Sequence, residues 1–259
     1  MIRVSDVVQH YGLRPVLRKI SLDVRDGELL ALVGPNGMGK STLLKTMAGL
    51  LPPKKGYVEI DGYRRRASTK EERHIRGQVF YLPDHPWLPS RASGREYATA
   101  VGSIYGVDEE RLMDHVDRLF KVFHLDKQAD AAIGSYSAGQ KKKVALCAAL
   151  AAERPIYIMD EPFAGGLDPS AILSLKRLMR HLAERRDVTL VMATPIPEIV
   201  EDMAHRVVIL SDGEIVGLDT VENLKAKADN AASLEESLER LLNPHTLEYI
   251  DEYFEEMKT

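Results

Sequence analysis

The sequence predicts an α/β fold: a mixed, parallel-type sheet, an antiparallel β subdomain and an inserted helical subdomain. Three observations predict it. Short apolar runs at Leu29 to Val33, Ile156 to Met159 and Val188 to Ala193 read as buried strands. Ile2 to Val8 and Ile20 to Val24 instead alternate apolar with polar residues, the pattern of antiparallel strands with one face buried. Between Ala92 and Ala132 nothing reads as a strand, and apolar positions there follow helical spacing.

Composition narrows the function. A chain of 259 residues with 44% apolar content buries a large core without staples, as one or two compact units. Its one cysteine, Cys147, lies in the run Val144 to Leu150 and reads as a small core residue, which excludes a disulfide framework and points to a reducing compartment. No amino-terminal stretch resembles a signal peptide, and no apolar run approaches the roughly 20 residues that span a bilayer. A membrane role therefore has to come through a partner. The formal charge of -4 gives no electrostatic case for nucleic acid, and the basic runs Arg64-Arg65-Arg66 and Lys141-Lys142-Lys143 read as solvated faces.

In chain order, the first two strands join near Gly12, and Tyr11 stands in their connection, where it either stacks on a base or packs locally. Asp26-Gly27 turns the chain into Leu29 to Val33. Next comes Gly34-Pro35-Asn36-Gly37-Met38-Gly39-Lys40-Ser41-Thr42, which fits G-x-x-x-x-G-K-[ST] in full and leads into a helix from Ser41 to Leu50. Strand, loop and helix in this order make a phosphate-binding loop and hence a P-loop NTPase core. The glycines let successive N–H groups curl around oxyanions, and the helix adds its unpaired N–H groups and dipole. Lys40 supplies a mobile charge for the β and γ phosphates, Ser41 a hydroxyl for Mg2+, and Thr42 supports the loop.

Gly56 to Gly62 is a short strand, and Gln78 to Leu82 is another that ends in Pro83-Asp84-His85-Pro86-Trp87-Leu88-Pro89. Three prolines there make a stiff connector. Ser93-x-x-Glu96 is a capping box, and Leu112, Val116, Leu119, Phe120 and Phe123 mark one helix face. Ser137 is placed to cap a strong helix over Lys141 to Glu153. The strand Ile156 to Met159 then delivers Asp160 and Glu161. Acids at the end of a buried strand beside a phosphate loop suit two tasks: Asp160 to hold Mg2+, and Glu161 to orient and deprotonate a water. Asp168-Pro169 starts a further helix. Val207 to Leu210 and Glu214 to Val216, joined through Asp212-Gly213, read as a closing hairpin.

This order of motifs resembles the ATP-binding subunits of ABC transporters over roughly Ile2 to Thr220. The specific feature is Tyr136-Ser137-Ala138-Gly139-Gln140, which is similar to the signature sequence of that family. There, two subunits clamp head to tail, and each signature helix caps the γ-phosphate held by the other. The resemblance implies that Tyr11 stacks on adenine, that Ser137, Gly139 and Gln140 face the partner's nucleotide, that Asp160 serves Mg2+ and that Glu161 is the base. It also implies that Ala164 to Asp168 links the two sites. Implied too are ATP and Mg2+ as cofactors, a second ATP-binding chain, a transmembrane partner, no nucleic acid, and a cytoplasmic place on the inner face of the membrane.

Three positions depart from the family. Asp84 stands where Gln is usual, and a carboxylate there can still reach the metal and the attacking water. Ala138 replaces a glycine. Pro195 stands where a His usually donates to the γ-phosphate, and proline has neither a side-chain donor nor an N–H. His85, His181 and His205 do not occupy that position. The expectation is an ATPase about 10- to 1000-fold slower than an intact site, the range for losing one transition-state donor. An exporter-like subunit is expected, since an acid after Tyr81-Leu82-Pro83 and the helix opened by Ser233-x-x-Glu236 are similar to exporter-type members. The alternative is a soluble or degenerate ABC-type module that regulates, or serves as the weak half of a heterodimer. The expected division is residues 1–220, with a helical subdomain at about 92–132, and a helical extension over 221–259. Pro244 ends the first helix of that extension, and Leu247, Ile250 and Phe254 mark a final acidic one, either a contact site or a cover for the protein's own surface.

Overall fold

The computed structural model describes residues 1–12, 14–243, 245, 249, 253 and 254. The elements, in order, are β1 (Ile2–Tyr11), β2 (Arg14–Val24), β3 (Leu29–Val33), α1 (Lys40–Met47), β4 (Lys55–Ile60), β5 (Tyr63–Arg64), α2 (Thr69–Gln78) and β6 (Val79–Leu82). They continue with α3 (Gly94–Ile104), α4 (Glu109–Val122), α5 (Ala138–Ala151), β7 (Ile156–Asp160), α6 (Pro169–Glu184), β8 (Thr189–Ala193) and α7 (Pro197–Glu201). β9 (Arg206–Ser211), β10 (Glu214–Asp219), α8 (Val221–Lys227) and α9 (Leu234–Leu242) complete the described chain.

Two sheets form. A six-stranded sheet runs β10-β9-β3-β8-β7-β6, parallel throughout except for the antiparallel β10 edge. The other is antiparallel, ordered β2-β1-β4-β5. β3 is apolar at every position because both its faces are covered. Leu29, Ala31 and Val33 join the core shared with α4, α5 and α6, while Leu30 and Leu32 join the core shared with α1 and the antiparallel sheet.

Parallel strands fix the place of the site. Leu32 is level with Ala193, Ala193 with Asp160, and Leu82 with Met159. The loops that leave β3, β6, β7 and β8 therefore emerge side by side at one edge, where ligands bind in open α/β sheets.

The inserted stretch carries α3 and α4, which pack on α5. Its two ends are pinned together by a bridge between Ser93 and Ala132 and by the bond from Ile133 N–H to Ala92 O. The capping box at Ser93 and Glu96 is formed at both hydrogen bonds. Cys147 is fully buried, and burial pushes its thiol well above the ordinary range.

The structure corrects three readings. α2 is absent from the sequence expectations because its one buried residue, Ile75, gives no apolar stripe, although Ser68 caps it. Neither basic run is a solvated face at its centre. Arg65 is buried, donates to Met47 O at 3.1 Å and pairs with Glu72 at 3.0 Å, and Lys142 and Lys143 are buried as well. α5 also begins earlier than expected, at Ala138, directly after its Ser137 cap. α9 docks on the protein's own surface: Leu234 is buried, Leu238 nearly so, and Leu234 N–H reaches Glu201 Oε2 at 3.1 Å. Of the final helix expected on Leu247, Ile250 and Phe254, Leu247 and Ile250 lie outside the described residues, as does Pro244, and Phe254 is exposed.

Candidate functional site

The phosphate loop is wedged between two backbones. A Cβ at Gly34 (φ 142°) would stand 2.2 Å from Leu210 O, and one at Gly39 (φ 103°) would stand 2.8 Å from Val16 O. Only glycine fits either place. Gly37 is also left-handed (φ 84°) but has open space around it. Pro35, Asn36 and Gly37 form an exposed tip. Lys40 is buried and donates to Gly34 O at 2.7 Å and Pro35 O at 2.8 Å, which sets its ammonium inside the curl of the loop. Burial lowers its pKa, against the pull of Glu161 and then Asp160. Thr42 O accepts from Thr46 Oγ1 at 2.8 Å within α1. Tyr11 ends β1 with 58% of its surface exposed, and its strand partner Arg14 lies just before Val16, so the hairpin tip stands beside the loop.

An acidic centre adjoins Lys40. Ser41 Oγ donates to Asp160 Oδ1 at 2.9 Å, and Tyr81 Oη reaches Asp160 Oδ2 at the long limit of 3.5 Å. A cavity of about 280 Å³ opens there, lined by Ser41, Lys45, Pro83, Asp84, His85 and Asp160. Burial raises the Asp160 pKa and outweighs the bond from Ser41. Burial and the charge on Asp160 push the Tyr81 hydroxyl well above its ordinary range. Glu161 turns the chain sharply at the end of β7, with φ 46°, its N–H on Ala193 O at 2.9 Å and its O accepting from Ala164 N–H at 3.1 Å. Its own pKa is raised by burial, then by Asp84 and Asp160, against Lys40 and Lys142.

The head of α5 is a second centre. Ser137 Oγ accepts from Gln140 N–H at 3.2 Å, and Gln140 Oε1 accepts from Ser137 N–H at 2.9 Å. These bonds stay within the cap, and none of them joins Ser137, Gly139 or Gln140 to the phosphate loop. Ser137 and Ala138 are exposed. A Cβ at Gly139 would stand 2.3 Å from Gly166 O, so this helix head leans directly on the loop that follows Glu161. Lys143 Nζ closes the same contact on Asp168 Oδ2 at 2.6 Å.

The structure also locates residues that sequence reasoning passed over. In the sequence Tyr81 is legible only as part of an apolar strand; its hydroxyl, which needs a partner when buried, is the available signal. Lys142 donates to Asp84 O at 3.0 Å, and three adjacent lysines gave no sign of it. After β8, Pro195 is exposed, and the turn is held by Thr194 N–H on Leu32 O at 3.1 Å and Ile196 N–H on Thr194 Oγ1 at 3.2 Å. His205 Nδ1 accepts from Leu29 N–H at 2.8 Å, and His181 lies near Glu184 on an exposed helix face. His85 is the histidine that lines the acidic cavity, with Nδ1 at 2.9 Å from Asp84 Oδ2. Trp87 is 81% exposed, whereas Leu88 packs against the core.

Comparison with known proteins points to one family. Residues 17–164 match the ABC transporter family. The chain is 31% identical to the ABC-type transporter ATP-binding protein EcsA of Bacillus subtilis, over 87% of this chain and 89% of that protein. It is 32% identical to the sulfate/thiosulfate import ATP-binding protein CysA of Caulobacter vibrioides, over 89% of this chain and 68% of that one. Among solved structures, an ATP-binding subunit of an ABC transporter superposes with a TM-score of 0.84 at 30% identity, covering 93% of this chain and 99% of the other.

Proposed function

The chain belongs to the ABC transporter family as an ATP-binding subunit, and we propose that it hydrolyses Mg·ATP to drive export through a separate membrane subunit. The observation that carries the reading is the convergence of Lys40, Ser41, Asp84, Asp160 and Glu161 at one sheet edge, with Ser41 and Asp160 joined at 2.9 Å. The donors suit Mg2+: a hydroxyl and two carboxylates, all oxygen. No three of His, Cys, Asp and Glu converge as a metal cluster among the described residues. Mg2+ needs no such cluster, since one or two carboxylates and the substrate's phosphates suffice. When bound, it neutralises the charge that develops on the transferred phosphoryl group.

The residues divide the work. Tyr11 offers an open ring for adenine, and Gly34, Pro35, Asn36, Gly37, Gly39 and Thr42 shape the cradle for phosphate. Lys40 leaves its two carbonyl partners for the β and γ oxygens. Ser41, Asp160 and Asp84 hold the metal. Glu161 accepts the proton of the attacking water, and its raised pKa makes it the stronger base for that step. Ser137, Gly139 and Gln140 form an exposed anion site apart from the chain's own phosphate loop, which suits head-to-tail pairing with a second ATP-binding chain, the same or different.

Pro195 supplies no donor, so turnover is about 10- to 1000-fold below that of an intact site. The same residue favours a second reading, the weak half of a heterodimer. Export is supported by Asp84 after β6 and by the docked α9, while the likeness to CysA is to an import protein. No helix among the described residues is long and apolar enough to cross a membrane. We place the chain peripherally on the inner membrane face, with an ATP-binding domain at 1–220, a helical subdomain at about 92–132 and an extension at 221–259. Steady-state hydrolysis by the purified chain tests the reading. Slow, Mg2+-dependent turnover lost in Glu161→Gln is expected, and brisk turnover surviving that change would contradict it.

A further inference from the structure

Lys142 stands where three segments of the site meet. Its side chain is 3% exposed, on α5 one turn beyond the Ser137 cap. Nζ donates to Asp84 O at 3.0 Å and lies 3.9 Å from Asp84 Oδ1. Its methylenes lie under the loop after Glu161, where a Cβ at Gly165 would stand 3.4 Å from Lys142 Cγ and Cδ. Gly165 is itself left-handed (φ 85°), so a larger residue there meets both strain and the lysine stem.

A buried ammonium is costly unless an opposite charge and hydrogen-bond acceptors surround it. Burial lowers the Lys142 pKa, and Asp84, Asp160 and Glu161, in that order, pull it back. Those three carboxylates are the ones assigned above to the metal and the water. The next residue, Lys143, fixes Asp168 at 2.6 Å, and Gly139 touches Gly166 O from the same helix. The head of α5 thus meets the loop 164–168 at three points, Gly139, Lys142 and Lys143, and reaches Asp84 through Lys142.

We propose that Lys142 is a positioning residue that holds Asp84 and the loop 164–168 in register with the head of α5. One ammonium then makes the metal-side carboxylate, the water-side Glu161 and the exposed anion site of the same chain a single rigid unit. Lys142 touches no substrate. It acts through Asp84, whose backbone carbonyl it holds at 3.0 Å and whose carboxylate it faces at 3.9 Å, so once Asp84→Asn has removed the metal-side carboxylate that Lys142 positions, loss of Lys142 adds little. The inference rests on the hydrolysis reading given above.

The test is a double-mutant cycle in the full chain with Lys142→Met, Asp84→Asn and the pair, read as kcat, as the Mg2+ concentration for half-maximal rate, and as ATP affinity without Mg2+. Lys142→Met is expected to lower kcat about 10- to 100-fold, as loss of an outer-shell partner does, and to raise the Mg2+ requirement several-fold. ATP affinity without Mg2+ stays within about twofold, since the phosphate loop is untouched, and the pair loses no more than the worse single change. Should Lys142→Met fail to fold, Lys142→Leu, which likewise removes both the donor to Asp84 O and the charge facing its carboxylate, takes its place in the cycle. Losses that multiply, or a Lys142 variant within twofold of wild type in both kcat and Mg2+ requirement, would overturn the inference while leaving the hydrolysis reading intact. Wild-type turnover no higher than that of Glu161→Gln would bring down both.

Discussion

Replacing Gly34 by Ala places a methyl carbon 2.2 Å from Leu210 O, where ordinary contact begins near 3.4 Å. Either the end of β9 or the phosphate loop has to give by about 1 Å. The site's φ of 142° adds backbone strain that Gly alone avoids. Strain of this kind costs about 1–3 kcal/mol, and overpacking a tight site about as much. β9 is held on both sides, by β3 and β10, whereas the loop tip at Pro35 to Gly37 is exposed, so the loop yields. About 3 kcal/mol spent in the loop reads as a roughly 100-fold weaker ATP affinity. Gly37→Ala is the control, since φ is again positive but nothing lies within 4 Å; about 1 kcal/mol, or roughly fivefold, is expected. Calorimetric titration with ATP, beside urea unfolding of each variant, separates lost affinity from lost stability. Equal ATP affinity in the two variants, with unchanged unfolding midpoints, would refute the steric reasoning.

Two further outcomes follow from the same geometry. The folded-state pKa of Glu161 is raised, so the native chain binds its proton more tightly than the unfolded chain, and this contribution to stability is lost as pH rises through the folded value. Glu161→Gln should therefore resist urea better than wild type at pH 7 to 8. The gap should narrow toward the ordinary Glu value of 4.5, and a gap that widens as pH falls would contradict the burial argument. Trp87, 81% exposed on the stiff connector after β6, is the proposed contact for the membrane subunit, so Trp87→Ala should leave ATP affinity and thermal unfolding unchanged and reduce transport in vesicles that carry that subunit; a loss of ATP binding would count against this role.

What the sequence revealed and what it hid divide by distance along the chain. The cradle from Gly34 to Thr42, the Ser137 cap and the Asp160-Glu161 pair were legible because each is a contiguous run whose chemistry depends on its neighbours. The sheet was legible too, since buried parallel strands carry unbroken apolar runs. Tyr81 and Lys142 were hidden: their partners, Asp160 and Asp84, lie 79 and 58 residues away, and only strand order brings them together. The burial of Arg65 is hidden for a different reason: its acceptor Met47 O and its counter-charge Glu72 stand near in sequence but on two separate helices, α1 and α2. α2 escaped because its single buried residue gives no periodicity to detect. His85 could be seen only as a residue off the expected position, while the fold sets it on the wall of the acidic cavity.

The most direct test of the account is single-turnover hydrolysis of ATP by excess purified chain, wild type beside Glu161→Gln, with and without Mg2+. The account predicts slow release of phosphate from wild type in Mg2+ alone, and tight retention of uncleaved ATP by the variant. Equal release from both, or cleavage that ignores Mg2+, would contradict a site built on Ser41, Asp84, Asp160 and Glu161.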